Sequence, residues 1–315
     1  MTARSTRTAG PRPAWVRCAL RYLRLAPGRL PGQAAVAAAL DRYLARKPFM
    51  TVTRTRSGAS IRVGTGDLIQ RYLLMFGVWE PQLTTWLAGR IRPGDTFIDV
   101  GANIGYYTLL AASLAGTGGH VIAIEPAPDF CQALAGAVNA NHLRQVRIVR
   151  SAVSDRPREL AFYQPEPGNL GHTTAVPSRS CNLAPLFTAS ALPLAGLLRP
   201  GELAAARIIK VDAEGAEAAI IGGLAPQLHR LRPDAELVIE VSALLLRRQG
   251  RVLDEITGPL TALGWHPYLI ANNYRAGSYP AAMRRPRPPH RLRLPVTNLP
   301  DPADLVFSRT DAEHL

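Results

Sequence analysis

The sequence predicts an α/β fold: a mainly parallel sheet with helices on both faces, behind an N-terminal helical and hairpin extension. Three observations predict it. Short continuous apolar runs, Thr96 to Val100, His120 to Ile124, Arg207 to Val211 and Leu237 to Val241, alternate with helical stretches, as strands buried on both faces do. The first run enters its helix through Gly101-Ala-Asn-Ile-Gly105, the strand–turn–helix of a nucleotide-binding βαβ unit. The second ends in Glu125, about 20 residues past the turn, where a carboxylate can accept from two ribose hydroxyls.

Taken in order, residues 1–48 form a basic leader, partly disordered or helical. Residues 1–13 are polar with Arg and Pro, a disordered composition. From Trp15 to Leu25, Arg17, Arg21 and Arg24 share one helical face. Such a basic amphipathic helix offers a peripheral contact to an anionic membrane; its plainer reading is a helix packed on the domain with solvated arginines. A second helix spans Gln33 to Ala45. Residues 49–94 form a cap: a hairpin from Met50 to Val63, whose alternation has period two, then helices over Asp67–Phe76 and Glu80–Arg90, the latter opened by Pro81.

Residues 95–310 form the ligand-binding domain. After Glu125 come a helix over 129–142, a strand at Val146–Arg150 and a hairpin strand at Leu160–Gln164. Residues 165–200, rich in Pro, Gly, Ser and Thr, read as an inserted substrate-side loop. Beyond Arg207–Val211, a helix over Glu214–Gly223, the strand Leu237–Val241, a helix over Leu253–Leu263 and strands at Trp265–Ile270 and Asp304–Ser308 complete the pattern.

With 315 residues and 47% hydrophobic content, the chain has ample core. No apolar run reaches the roughly 18 residues of a membrane span. Cys18, Cys131 and Cys181 lie far apart, which argues against a disulfide framework or structural zinc and for a reducing cytoplasm. The net charge is +14, of which residues 1–50 carry +9 and residues 280–295 carry +5. The charge avoids the predicted catalytic core, so no nucleic-acid partner is expected.

The chemistry gathers at the carboxyl ends of the strands, where ligands bind in such sheets. Asp99, Glu125, the Ser151–Ser154 turn, Asp212 and Glu240 all fall there. Acids are rarely buried without a partner, so a cationic ligand, a metal or a polar substrate is expected. Asp99, just before the glycine turn, disfavours a pyrophosphate and suits a cation; S-adenosylmethionine carries an ammonium and a sulfonium. Asn103 stands where a dinucleotide fingerprint has its middle glycine, and Asn tolerates positive φ. In Lys210-Val-Asp-Ala-Glu-Gly-Ala-Glu217, Asp212 ends a strand and Lys210, on the same strand face, is its expected ion-pair partner. Glu214 and Glu217 sit in the first helical turn, where capping is the alternative to catalysis. If the acceptor is an alcohol, a base must take its proton; the candidates are Asp212, then His172 of the GHTT loop, then Glu217. Asp212 and Glu240 could instead share a divalent cation, but no residue set is assigned to a metal.

The segments FGVWEP (76–81), RPGDTFIDVGANIGYYT (92–108), VIAIEPAP (121–128), SAVSD (151–155), KVDAEGAEAAIIGG (210–223) and IEVS (239–242) together resemble the FkbM family of S-adenosylmethionine-dependent methyltransferases, in order and spacing from about residue 60 to 308. The resemblance implies a class I methyltransferase fold, Rossmann-like, and O-methylation of hydroxyls on polyketide-like secondary metabolites, saccharides or lipid-linked glycans. It implies that Asp99, Gly101, Asn103 and Gly105 shape the methionine side of the cofactor site, that Glu125 takes the ribose hydroxyls, and that the Ala152–Val153 turn flanks adenine. The leader and residues 275–300 have no counterpart in this pattern. A nicotinamide dehydrogenase is disfavoured by the missing third glycine and by Asp99. An amino-group nucleic-acid methyltransferase would carry an Asp/Asn-Pro-Pro-aromatic motif where this chain has Val-Asp-Ala-Glu. A membrane-peripheral scaffold without activity would not need the cofactor residues.

Overall fold

Apolar residues three and four apart give Ala14–Arg24 (α1) and Gln33–Arg46 (α2) one buried face each: Val16, Leu20 and Leu23 on the first, Ala37, Leu40 and Leu44 on the second. The computed structural model describes residues 13–163, 174–176, 185–293, 295–296 and 299–315, and the chain divides into two units. In the first unit the helices join a two-stranded hairpin, Met50–Arg54 (β1) and Ser60–Gly64 (β2), paired Met50 to Gly64. Leu68–Phe76 (α3) follows, opened by Asp67, whose side chain accepts from Gln70 N, and closed at Gly77 with φ 73°. The Arg24 guanidinium donates to the carbonyls of Leu73, Leu74 and Arg54, so this arginine of α1 serves as an interior tie. Residues 272–287 belong to the same unit: Tyr279 stacks on Phe76 at 4.9 Å and meets Tyr72 edge-on at 4.7 Å. The apolar face of α1 is thus spent inside its own unit.

Pro81–Arg90 (α4) leads into the second unit, which holds Thr96–Val100 (β3), Tyr106–Ala115 (α5), His120–Ile124 (β4), Pro128–Ala140 (α6) and Val146–Val149 (β5). Next come Ala152–Val153 (β6), Arg158–Phe162 (β7), Phe187–Leu192 (β8), the short helices Leu194–Leu197 (α7) and Glu202–Ala205 (α8), Ala206–Val211 (β9) and Glu217–Leu224 (α9). Glu236–Val241 (β10), Ala243–Arg248 (α10), Asp254–Thr261 (α11) and His266–Ile270 (β11) follow. Tyr279–Arg284 (α12) lies in the first unit; His290–Arg291 (β12) and Ala303–Ser308 (β13) end the second.

The central sheet runs β12-β11-β13-β10-β9-β3-β4-β5. Its five strands from β10 to β5 are mutually parallel, and β13 is inserted antiparallel between β10 and β11. One face of the sheet, with Ile98, Val100, Ile209, Val211 and Ile239, packs on Ile220, Ile221 and Leu224 of α9 and Ile256 and Leu260 of α11. Each such buried aliphatic side chain contributes about 1.5–3 kcal/mol. On the other face Ala123 packs on Leu134 and Val138 of α6, and Asp99 meets Thr108 of α5. The sheet order reverses between β3 and β9, which makes their carboxyl ends the switch point of the fold.

Several segments differ from the sequence expectation: α7, α8, α10, α12 and β12 are not among the expected elements, and two further segments lie beside the expected adenine edge. Ala152–Val153 is a strand rather than a turn, pairing in parallel with β8 in a small β6-β8-β7 sheet. Phe187–Leu192 lies within the stretch expected to be loop and pairs antiparallel with β7. Its alternation is carried by small residues, Thr, Ala and Ser, which give little hydrophobic contrast.

Candidate active site

The turn after β3 needs its glycines for two different reasons. Gly101 has φ 80°, and a Cβ there would lie 1.7 Å from the carbonyl oxygen of Asp212, so the turns after β3 and β9 touch backbone to backbone. Gly105 has φ 93° and abuts Leu134. Asn103 adopts φ 52°, the positive region expected from its type, and its Oδ1 accepts from Ile104 N at 2.7 Å. Asp99 is 1% exposed. Its Oδ2 accepts from the Thr108 hydroxyl at 2.6 Å, while Oδ1 is buried with no hydrogen-bond partner among the described residues. Burial pushes the Asp99 carboxyl above its ordinary range, and the charge of Lys210, its register neighbour on β9, opposes that.

Glu125, at the end of β4, is also buried. Its Oε2 accepts from Asn103 N and its Oε1 from Ala127 N, both at 2.8 Å. Burial pushes it up to about 7, against the pull of those two amides. Each oxygen keeps acceptor capacity beyond its one amide. Ala152 and Val153, expected beside adenine, have buried side chains: Ala152 packs with Phe162 and Ala191, and Val153 joins the main core.

The turn after β9 is where the acids converge. Asp212 is half-buried, and its Oδ2 receives the Lys210 ammonium at 2.7 Å, the ion pair expected from the strand alternation. That ammonium also sits 4.9 Å from the centroid of the Tyr107 ring. Carboxylate oxygens of Asp212, Glu214 and Glu240 lie within 4.8 Å of one another. Glu240 stands directly opposite the buried Asp304 of β13.

Glu217, the third general-base candidate, is 3% exposed, and its carboxylate accepts from Ala213 N at 2.9 Å and from Gly215 N at 3.0 Å. It braces the turn that carries Asp212, as the capping alternative required, and burial holds it at about 7. His172 lies outside the described residues. The sequence reading missed Gln249, at the end of α10, whose Nε2 donates to Gly215 O at 2.7 Å, and Thr174, whose hydroxyl donates to Glu214 O. Gln249 belongs to no motif, and Thr174 closes the GHTT segment that was singled out only for its histidine. Thr108 was detectable, being in the first turn of the helix that Asp99 introduces.

A family model described as the methyltransferase FkbM domain matches residues 99–274. The chain belongs to the FkbM methyltransferase family. No curated protein matches it. Among solved structures this FkbM chain is similar to a putative rRNA methylase from Clostridium thermocellum, at 10% identity and TM-score 0.44 over 72% of this chain and 93% of that one. It is similar to methyltransferase FkbM from Methylobacillus flagellatus, at 14% identity and TM-score 0.43 over 76% of this chain and 52% of that one. It is also similar to a SAM-dependent O-methyltransferase from Thermotoga maritima, at 13% identity and TM-score 0.40 over 84% and 79%.

The FkbM fold implies S-adenosylmethionine as methyl donor, and the residues fit it. A buried carboxylate oxygen without a donor, Asp99 Oδ1, is costly by itself and is relieved by a cationic ligand. Glu125, fixed by two amides at the next strand end, presents acceptors for a ribose diol. No helix of the described residues is long and apolar enough to cross a membrane.

Proposed function

We propose that this FkbM chain is an O-methyltransferase that methylates a hydroxyl of a polyketide-like secondary metabolite or a saccharide. The carrying observation is the half-buried Asp212 at the switch point, with its Oδ2 fixed by Lys210 and the carboxylates of Glu214 and Glu240 beside it. When bound, S-adenosylmethionine supplies the electrophilic methyl group. Asp99, Gly101, Asn103 and Gly105 shape the site for its methionine part, and Glu125 orients its ribose. Asp212 Oδ1 takes the proton of the acceptor hydroxyl, and Lys210 keeps that carboxylate in one orientation. Glu214 and Glu240 accept hydrogen bonds from further hydroxyls, which suits a polyhydroxylated acceptor. Free thiols at Cys18 and Cys131 are consistent with work in a reducing cytoplasm.

A second reading rests on the same three carboxylates. Oxygen ligands this close would hold a divalent cation, which would acidify the acceptor hydroxyl. Transfer of labelled methyl groups to a panel of hydroxylated acceptors separates the two. With Asp212 as base, Asp212→Asn lowers kcat by about 10²–10⁴, leaves S-adenosylmethionine affinity within a few-fold, and chelator has no effect. Loss of activity in chelator, restored by magnesium, selects the cation. Wild-type kcat in Asp212→Asn removes the base assignment, and N-methylated products remove the hydroxyl acceptor.

A further inference from the structure

The charge of this protein is concentrated in one unit to a degree that the fold of that unit does not use. Residues 1–85 and 272–287 carry eighteen Lys and Arg against three acids, while the remaining sequence carries nineteen against twenty. The three acids of the first unit have internal work: Asp41 bridges Arg71 at 2.6 Å, Asp67 caps α3, and Glu80, 2% exposed, accepts from the Tyr274 hydroxyl. The bases are mostly outside. Arg17, Arg21, Arg29, Arg42, Arg46, Lys47, Arg54, Arg62, Arg284, Arg285 and Arg287 are all exposed. A net charge this large on so small a body is self-repulsive and calls for a polyanionic partner.

The exposed apolar side chains identify that partner. In the same unit Trp15 is 48% exposed, Leu25 62%, Met50 42% and Val52 65%. Trp15 meets the ring of Tyr43 edge-on at 4.6 Å, and the Lys47 ammonium lies 5.5 Å from the centroid of that ring. An indole and a phenol flanked by cations is the composition of a membrane–water interface. Nucleic-acid phosphates offer nothing to Leu25, Met50 or Val52, and a stacking surface for bases needs several exposed rings, of which this set has one. We propose that the first unit docks on an anionic lipid bilayer. Its exposed bases meet the headgroups, and Trp15, clustered with Tyr43 and Lys47, reaches the interface. The contact is not made by the apolar face of α1, because Val16, Leu20 and Leu23 are buried.

Sedimentation of the full chain with vesicles tests this. Binding is expected to vesicles of equal parts phosphatidylcholine and phosphatidylglycerol, to weaken steeply with salt, and to be absent with phosphatidylcholine alone. Neutralising Arg21, Arg46 and Lys47 to Gln should lower partitioning about a hundred-fold, at about five-fold per base. Neutralising Arg230, Arg247 and Arg248 of the second unit to Gln should change it less than two-fold. Trp15→Ala should weaken binding several-fold and abolish a lipid-induced blue shift in fluorescence. The six bases are exposed, so unchanged melting curves are expected for the charge variants, whereas Trp15→Ala gives up its edge-on contact with Tyr43 and should melt slightly lower. Equal binding to neutral vesicles overturns the proposal, as does an equal loss in the second-unit variant. Tight RNA binding that the first-unit variant abolishes, without vesicle binding, reassigns the surface to nucleic acid and also overturns it.

Discussion

Two strand-to-helix turns meet at the switch point, one after β3 and one after β9, and each is shaped by a buried glutamate that receives backbone amides. Each also holds one non-glycine residue at positive φ, Asn103 at 52° and Glu214 at 48°, followed by a glycine, Gly105 or Gly215. The difference lies in what each turn does with its strand-end aspartate. Asp99 is buried under Thr108, whereas Asp212 stays half-buried with Lys210 on one oxygen. The glutamates differ too. Glu125 comes from the neighbouring strand and takes one amide per oxygen; Glu217 comes from the helix the turn opens, takes Ala213 N on Oε1 and shares Gly215 N between both oxygens. Similar residue types therefore build one turn that encloses its acid and one that presents it.

The sharpest way to break this arrangement is Gly101→Ala, because that position belongs to both turns. A methyl group 1.7 Å from Asp212 O, at φ 80°, combines backbone strain with overpacking against an atom that cannot rotate away, for about 4 kcal/mol in total. Loss of S-adenosylmethionine binding by calorimetry and a large fall in melting temperature are expected. If the variant binds and melts as the parent does, the two turns are not in contact.

The sequence shows some of this and hides the rest for identifiable reasons. Thr96–Val100 and His120–Ile124 match the structure to the residue, since a parallel strand buried on both faces is a mostly apolar run, here with a glycine after the first and before the second. The Lys210–Asp212 pair follows from side chains alternating along a strand. The family motifs carry the turn after β3. Hidden are the features set by tertiary pairing. Nothing in Ala303–Ser308 announces that it inserts antiparallel between β10 and β11. Ala152–Val153 becomes a strand only because β8, far along the chain, comes back to pair with it. Glu217 looks the same in sequence whether its carboxylate faces a substrate or turns inward on Gly215 N.

The two glutamates should also separate under titration. Both are raised by burial from an ordinary 4.5 to about 7. The folded protein therefore holds two protons that the unfolded chain has released between about pH 4.5 and 7. Stability is greatest below that window and falls as pH rises through it, by on the order of 3 kcal/mol per group at most. Melting temperatures without ligand should decline from pH 5 to pH 8. The comparison is sharpened by ligand. Above pH 7, where Glu125 is ionised, Glu125→Gln should weaken S-adenosylmethionine about ten-fold or more, through loss of hydrogen bonds to a charged acceptor. Glu217→Gln should cost about 1–3 kcal/mol of stability and leave that affinity within about three-fold. Equal losses of affinity in the two variants would remove the distinction between them.

The smallest expected effect tests why Glu214 tolerates its backbone. A glutamate at φ 48° carries about 1–2 kcal/mol of strain that glycine does not, while glycine loses about 0.5–1 kcal/mol through the freedom of the unfolded chain. Glu214→Gly should therefore leave the melting temperature unchanged or raise it slightly. Asn103→Gly should gain nothing and melt slightly lower, because asparagine tolerates this region and its Oδ1 accepts from Ile104 N, while its amide still reaches Glu125, so cofactor affinity is kept. Activity is where the two should part. Glu214→Gly removes one of three carboxylates at the proposed acceptor edge and should lower kcat/KM for a hydroxylated acceptor, whereas Asn103→Gly should leave it within a few-fold. A strained residue retained where glycine would be easier points to its side chain being used. If Glu214→Gly is both more stable and fully active, the strain has no such justification, and the acceptor edge reduces to Asp212 and Glu240.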